Sequence, residues 1–143
     1  MAQFQCINPG TDPEKIFIVV KNTYSTAAIT VGQVVCFDYT TDVDGVGVTQ
    51  PTTALLKLFA GVVATPSIAI NGVGLVQVYG HNADALVDGT TGIGVGVPLK
   101  TANGVFNLVI AGVTATGASY PFVCGQAYTT GAAAAKRVFL RCL

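Results

Sequence analysis

Few side chains in this sequence are equipped for chemistry, and they lie apart from one another. The chain has one histidine, His81, beside Asn82 and close to Asp84. General acid–base work favours histidine or paired carboxylates, and a nucleophile needs a base within reach. His81 follows the apolar run Val73–Gly80, where a histidine is ordinarily a solvent-facing loop residue. No G-x-S-x-G elbow occurs, so the strand-to-helix serine of that mechanism is missing. These residues argue against an enzyme, and no catalytic residue is expected.

Asp38, Asp42 and Asp44 fall close together, and Asp42-Val43-Asp44-Gly45 echoes the opening of a calcium loop. The glutamate that closes such a loop is absent, which makes a turn with solvated carboxylates the better reading and a weak cation site the lesser. Gly72-x-Gly74 and Gly92-x-Gly94-x-Gly96 are not followed by helical patterns, so a phosphate-cradling role has no support. Cys6, Cys36, Cys124 and Cys142 show no C-x-x-C pair and no zinc spacing. Buried free thiols are the favoured reading, with a disulfide from Cys6 to a neighbour as the alternative. No metal and no cofactor are expected.

The elements that would carry these residues are strands. The organising stretch is Leu58–Leu99, a β-meander. Leu58–Ala64 is a nearly continuous apolar run, which suits a strand buried on both faces. Asn71-Gly72 predicts a two-residue hairpin loop leading into Val73–Gly80, where Val76 and Val78 face one way and Leu75, Gln77 and Tyr79 the other. Gly80 is expected to end that strand and Asp88-Gly89 to make the next turn. In Gly92–Leu99 the glycines alternate with Ile93, Val95 and Val97, a pattern that allows close packing on a neighbouring sheet.

Upstream, Lys15–Asn22 reads as the first confident strand and Ile29–Tyr39 as the second, bent at Gly32. Asp44-Gly45 is a type I′ turn signal and Asn103-Gly104 another turn. Val105–Ile110, Pro121–Tyr128 and Lys136–Cys142 complete the set. Helical character is confined to Ala132–Ala135 and Thr53–Leu58, each long enough for one turn only. The expected fold is all-β: a small β-barrel or β-sandwich of about eight to ten short, mostly antiparallel strands. Residues 1–14, with Pro9, Gly10 and Pro13, read as an extended N-terminal arm, and 15–143 as a single β domain.

Composition limits the partners. Only 10% of the 143 residues are charged, seven basic against seven acidic, where about 25% is usual. Nucleic-acid binders carry a clustered positive surplus, which is lacking here, so no nucleic-acid partner is expected. The uncharged segments Leu58–Ala83 and Thr101–Ala135 are broken by proline, glycine and asparagine and show no helical period, so no spanning helix is expected. Met1–Gly10 has neither a basic start nor an apolar block, so synthesis in a reducing cytoplasm and no membrane insertion are the expectation. A weakly charged surface of this kind calls for covering by copies of itself or by another protein.

Several motifs also resemble a known family. F-A-G-V-V-A at Phe59–Ala64, V-Q-V-Y-G at Val76–Gly80, A-L-V-D-G at Ala85–Gly89 and V-P-L at Val97–Leu99 are similar to small tailed-bacteriophage capsid decoration, or cement, proteins. V-K-N-T at Val20–Thr23 and V-G-Q-V-V at Val31–Val35 resemble that family's first strand pair, and the likeness covers Ile16 to Leu99. The resemblance implies a virion structural protein on the outer surface of an icosahedral capsid. It would cement neighbouring major capsid subunits, commonly as a homotrimer. The candidate contact residues are Phe4 and Ile7 as arm anchors, and Arg137 and Arg141 on one face of the last strand, able to pair with capsid carboxylates. The competing reading of the arginines is edge-strand protection. The alternative function is a head-fibre or tail-associated β-sandwich that binds a glycan or receptor. Its candidate stacking residues are Tyr79, Tyr120 and Tyr128, for each of which core or rim packing is the commoner use.

Overall fold

The computed structural model describes residues 4–7, 14–42, 44–89, 92–111, 121–124 and 131–142. Among them lie twelve strands: β1 (Phe4–Ile7), β2 (Lys15–Asn22), β3 (Ile29–Thr30), β4 (Val34–Phe37), β5 (Gly47–Thr49), β6 (Phe59–Val63), β7 (Ser67–Ile68), β8 (Val73–Gly89), β9 (Pro98–Thr101), β10 (Leu108–Ile110), β11 (Phe122–Cys124) and β12 (Gly131–Arg141). The fold is all-β. Pairing is antiparallel except between β2 and β5 and between β8 and β10. The stretch read as an arm contributes β1, which runs antiparallel along the chain's own β2.

The strand order coils back on itself twice. From β2 the pairings run through β5, β4, β6 and β8 and return to β2. From β8 they run through β10, β9, β11 and β12 and return to β8. Some joins are short: β8 meets β10 at the single register pair Val87–Leu108, so neither ring is a fully laddered barrel. Each ring surrounds its own apolar cluster. Val20, Ile29, Val35, Val48, Val63, Ile68 and Val76 belong to the first. Val87, Leu99, Leu108, Phe122, Val138 and Leu140 belong to the second.

β4 and β6 are buried on both faces because they serve both clusters. Val35 and Val63 point into the first, while Val34 and Val62 belong to the second. This is the two-sided burial that the apolar run at Leu58–Ala64 predicts, and all four valines are wholly buried.

The central strand departs from expectation. Gly80 does not end it; β8 continues for 17 residues. At Gly80 the backbone takes φ 95°, a conformation open to glycine and strained for other residues. A Cβ there would collide with the Glu14 carbonyl. The kink re-aims the strand: Val73–Tyr79 pairs with β2, and Tyr79–Gly89 pairs with β12. Both ladders slip in register near it, between Ile16 and Phe17 and between Lys136 and Val138. His81 therefore lies inside a strand, half-buried opposite Phe139, and not in a loop.

Turn chemistry was legible in place more than in type. Only Asn71 of the pair Asn71-Gly72 has positive φ, 59°, and the Gly72 N–H donates to the Ala69 carbonyl at 2.8 Å. That is the type II pattern, with Asn71 at the third position, and not a two-residue hairpin. β7 pairs with β3 while β8 pairs with β6, so this turn does not join adjacent partners. The expected strand Ile29–Tyr39 is divided into β3 and β4 at Val31-Gly32, where Gly32 has φ 84°. Asn103-Gly104 does connect an antiparallel pair, β9 and β10.

Two further expectations are corrected. Ala132–Ala135 is strand, with Ala134 opposite Val87 and Ala135 opposite Leu86; tertiary pairing overrides alanine's helical preference. Gly94 and Gly96 do not receive another backbone: a Cβ on Gly94 would meet only Val97, and one on Gly96 would meet nothing within 4 Å. In Thr53–Lys57 the chain does make turns of the 3₁₀ type, with the Leu55 N–H donating to the Thr52 carbonyl at 2.8 Å.

Gly80→Ala must distort both the left-handed backbone and the contact with Glu14, so a loss of at least about 2 kcal/mol is expected in urea unfolding. Gly104→Ala, which shares positive φ but faces open space, should lose about 1 kcal/mol. Equal losses would remove the role assigned to the Glu14 contact.

Candidate partner-binding surface

Asp38 on the β4–β5 connection was a candidate cation ligand. Its carboxylate is instead filled by the protein. Oδ2 accepts from Thr23 Oγ1 at 2.7 Å. Oδ1 accepts from Thr40 Oγ1 at 2.6 Å, from the Thr41 N–H at 3.1 Å and from the Thr40 N–H at 3.2 Å. Burial raises the carboxyl's pKa, but the hydrogen bonds from Thr40, Thr23 and Thr41 together outweigh it and hold it below its ordinary value of 3.8. Asp42 accepts from the Asp44 N–H at 3.1 Å. Among the described residues no group of three or more His, Cys, Asp or Glu side chains is arranged to hold a metal ion.

The kink in β8 carries a second polar knot. Gln77 Nε2 donates to the Tyr79 carbonyl at 3.0 Å and to the His81 carbonyl at 3.1 Å. Asn82 Nδ2 donates to Gln77 Oε1 at 3.0 Å, and Asn82 Oδ1 accepts from the Asp84 N–H at 2.9 Å. The two linked amides span Gly80, and Gln77 occupies the carbonyls on both sides of it. They border a cavity of about 180 Å³ that Lys15, Phe17, Val31 and Asp84 also line. Among the described residues no buried side-chain nitrogen or oxygen lacks a hydrogen-bond partner. The amides at this cavity are thus committed to the backbone and to each other.

Cys36, Cys124 and Cys142 are free thiols. Burial pushes the Cys36 and Cys142 thiols up to about 12, so both are protonated and unreactive at neutral pH. The side chain of Cys6 lies outside the described residues.

The candidate contact residues divide. Phe4 and Ile7 open and close β1, for which backbone and register alone are described. Arg137 and Arg141 are exposed on the outer face of β12, on either side of Phe139. At Arg141 the edge-strand reading does not hold, since this residue lies opposite Tyr79 and its N–H donates to the Pro121 carbonyl at 2.7 Å. β12 is paired on both sides, Leu140 lying opposite Gly80 of β8 and Phe122 of β11. Tyr79 stands opposite Arg141 in the register and packs edge-to-face on Phe139, ring centroids 5.7 Å apart at 72°. His81 and Val123 flank Phe139 on the two neighbouring strands. Tyr120 and Tyr128 lie outside the described residues.

The sequence reading missed Phe139 and His81 as neighbours of the arginines. The alternation Arg137-Val138-Phe139-Leu140-Arg141, apolar inward and cationic or aromatic outward, was the available signal. Other outward apolar side chains are Val95, Val73, Tyr39, Ile70, Val31 and Val105, with Val95 68% and Val73 65% exposed. Tyr39 stacks on Phe37 with centroids 5.8 Å apart.

No protein-family model matches the chain, and no curated protein matches it. Among the described residues no helix is long and apolar enough to cross a membrane.

Two outcomes follow. Gln77→Leu strands the Tyr79 and His81 carbonyls and one amide of Asn82, and should cost about 2–3 kcal/mol in chemical denaturation. The depressed Asp38 pKa contributes stability that is full above its unfolded value and is lost as pH falls through the folded one. Asp38→Ala should therefore be less stable than the parent at neutral pH, with the difference shrinking below about pH 4 in thermal melts. A difference that stayed constant with pH would rule out the charged form as the stabilising one.

Proposed function

We propose that this chain is a virion structural protein that binds the outside of an icosahedral phage capsid and cements neighbouring major capsid subunits, acting as a homotrimer. The observation that carries the reading is where apolar surface has been left. On a chain with 10% charged residues, large side chains such as Val73, Val95, Ile70 and Tyr39 remain outward, a distribution that favours burial against partners. The resemblance of the segments from Ile16 to Leu99 to decoration proteins supports the same reading. Attachment would rest on burial of about 1,000 Å² or more at each contact, multiplied by avidity when one oligomer bridges several subunits of a closed lattice.

Purified protein mixed with undecorated phage shells should bind saturably, at a stoichiometry set by the lattice, and light scattering of the free protein should give the mass of three chains. Shells that sediment without bound protein at any concentration would overturn the reading. Hits on a glycan array in that case would favour the receptor-binding alternative.

A further inference from the structure

We propose that the outer face formed by β12 with β8 and β11 is a docking face for a carboxylate-bearing, extended segment of another protein, held by Arg137 and Arg141 on either side of Phe139. This names the surface and the partner chemistry of the cementing reading and rests on it.

Arginine placement is the first argument. The chain's seven cations are five lysines and two arginines, and both arginines stand on this one face, four residues apart. Four strand residues span about 13 Å, so the guanidinium groups reach two separate acceptors and do not share one. Guanidinium offers a fixed fork for a carboxylate and sheds water more readily than ammonium, which is why it recurs in interfacial ion pairs.

Topology is the second. Along Val138–Leu140, β12 has a hydrogen-bonded neighbour on each side. Arg141 is also flanked on both sides, opposite Tyr79 and donating its N–H to the Pro121 carbonyl, so its charge is not needed to block edge-to-edge pairing. Neither arginine forms an ion pair with a described acidic residue. Asp84, the acid nearest Arg137 in the register, lines the cavity beside Lys15.

The ground between the arginines is the third. Phe139 and Tyr79 form an edge-to-face pair, with Val123 and His81 alongside in the register. Arginine, tyrosine and a half-buried aromatic centre are the composition from which strong interface contacts are built. The complementary surface has two carboxylates about 13 Å apart with an apolar side chain between them, as an extended strand with acids at i and i+4 supplies. A nucleic acid fits less well: phosphate tracking needs a row of cations and a positive balance, and here two arginines sit on a chain of zero net charge.

The test compares the full chain, Arg137→Glu/Arg141→Glu and the milder Arg137→Gln/Arg141→Gln with Lys57→Glu/Lys100→Glu, a charge-matched control at two exposed lysines elsewhere. Each is passed over immobilised poly-L-glutamate, heparin and single-stranded DNA, and separately mixed with undecorated phage shells; circular dichroism confirms that each variant is folded. The expected result is retention of the parent and the lysine control on poly-L-glutamate at a higher salt concentration than on heparin or DNA. Both arginine variants should lose that retention, and their shell affinity should fall at least about tenfold while the control's does not. Equal losses in the lysine control, stronger retention on heparin or DNA, or arginine variants that bind shells like the parent would each overturn the proposal. Arginine-dependent retention on poly-L-glutamate without shell binding would instead overturn the capsid reading and leave the docking face standing. If retention reflected self-association alone, the parent's oligomer would dissociate in the arginine variants by light scattering, and that too would overturn it.

Discussion

The left-handed backbone at Gly80 is the constraint on which the rest of the molecule depends. One strand has to line two cores, and a regular pleated strand presents the same two faces along its length. A residue with φ 95° breaks that continuity, so Val76 and Val78 fill the first cluster and Ala85 and Val87 the second. The absence of a side chain at this position also lets the Glu14 carbonyl approach. Gln77 completes the device by donating to the Tyr79 and His81 carbonyls on either side of the kink, and Asn82 holds the Gln77 amide by donating to its Oε1.

The same economy appears in β4 and β6. Adjacent valines on each strand are buried in different clusters, so the second ring packs against what would otherwise be the outside of the first. A chain of this size thereby gains two apolar interiors that share their walls. Two of the polar side chains that end up inside are bound to distant backbone: Asn22 Nδ2 donates to the Ile68 carbonyl at 2.9 Å, and Thr101 Oγ1 donates to the Leu56 carbonyl at 3.0 Å. Buried polar groups of this kind specify one arrangement of loops because every alternative leaves them unpaired.

Among the described residues the buried side-chain polar groups are committed to the fold, and the outer faces carry exposed apolar and cationic side chains. The surface of β12 and its neighbours differs from the rest by concentrating both arginines around an aromatic pair. In the proposed cementing role long-range charge would contribute little, and attachment would rely on contact: desolvated aromatic area, forked hydrogen bonds to carboxylates and repetition across a lattice.

The amino-acid sequence by itself determined the class of fold and much of its punctuation. Period-2 alternation in Lys15–Asn22, the unbroken apolar run at Leu58–Ala64 and the turn at Asn103-Gly104 are local signals, because side-chain alternation and backbone sterics act over a few residues. The outward alternation of Arg137 and Arg141 was legible for the same reason. Tertiary structure alone decided the fate of Gly80, Ala132–Ala135 and His81. Whether a glycine stops a strand or bends it depends on a partner ladder ready to receive the continuation, and β12 supplies that partner from 42 to 62 residues away. Alanines become strand, and a histidine comes to flank a phenylalanine between two arginines, only when long-range hydrogen bonds bring β8 and β12 side by side.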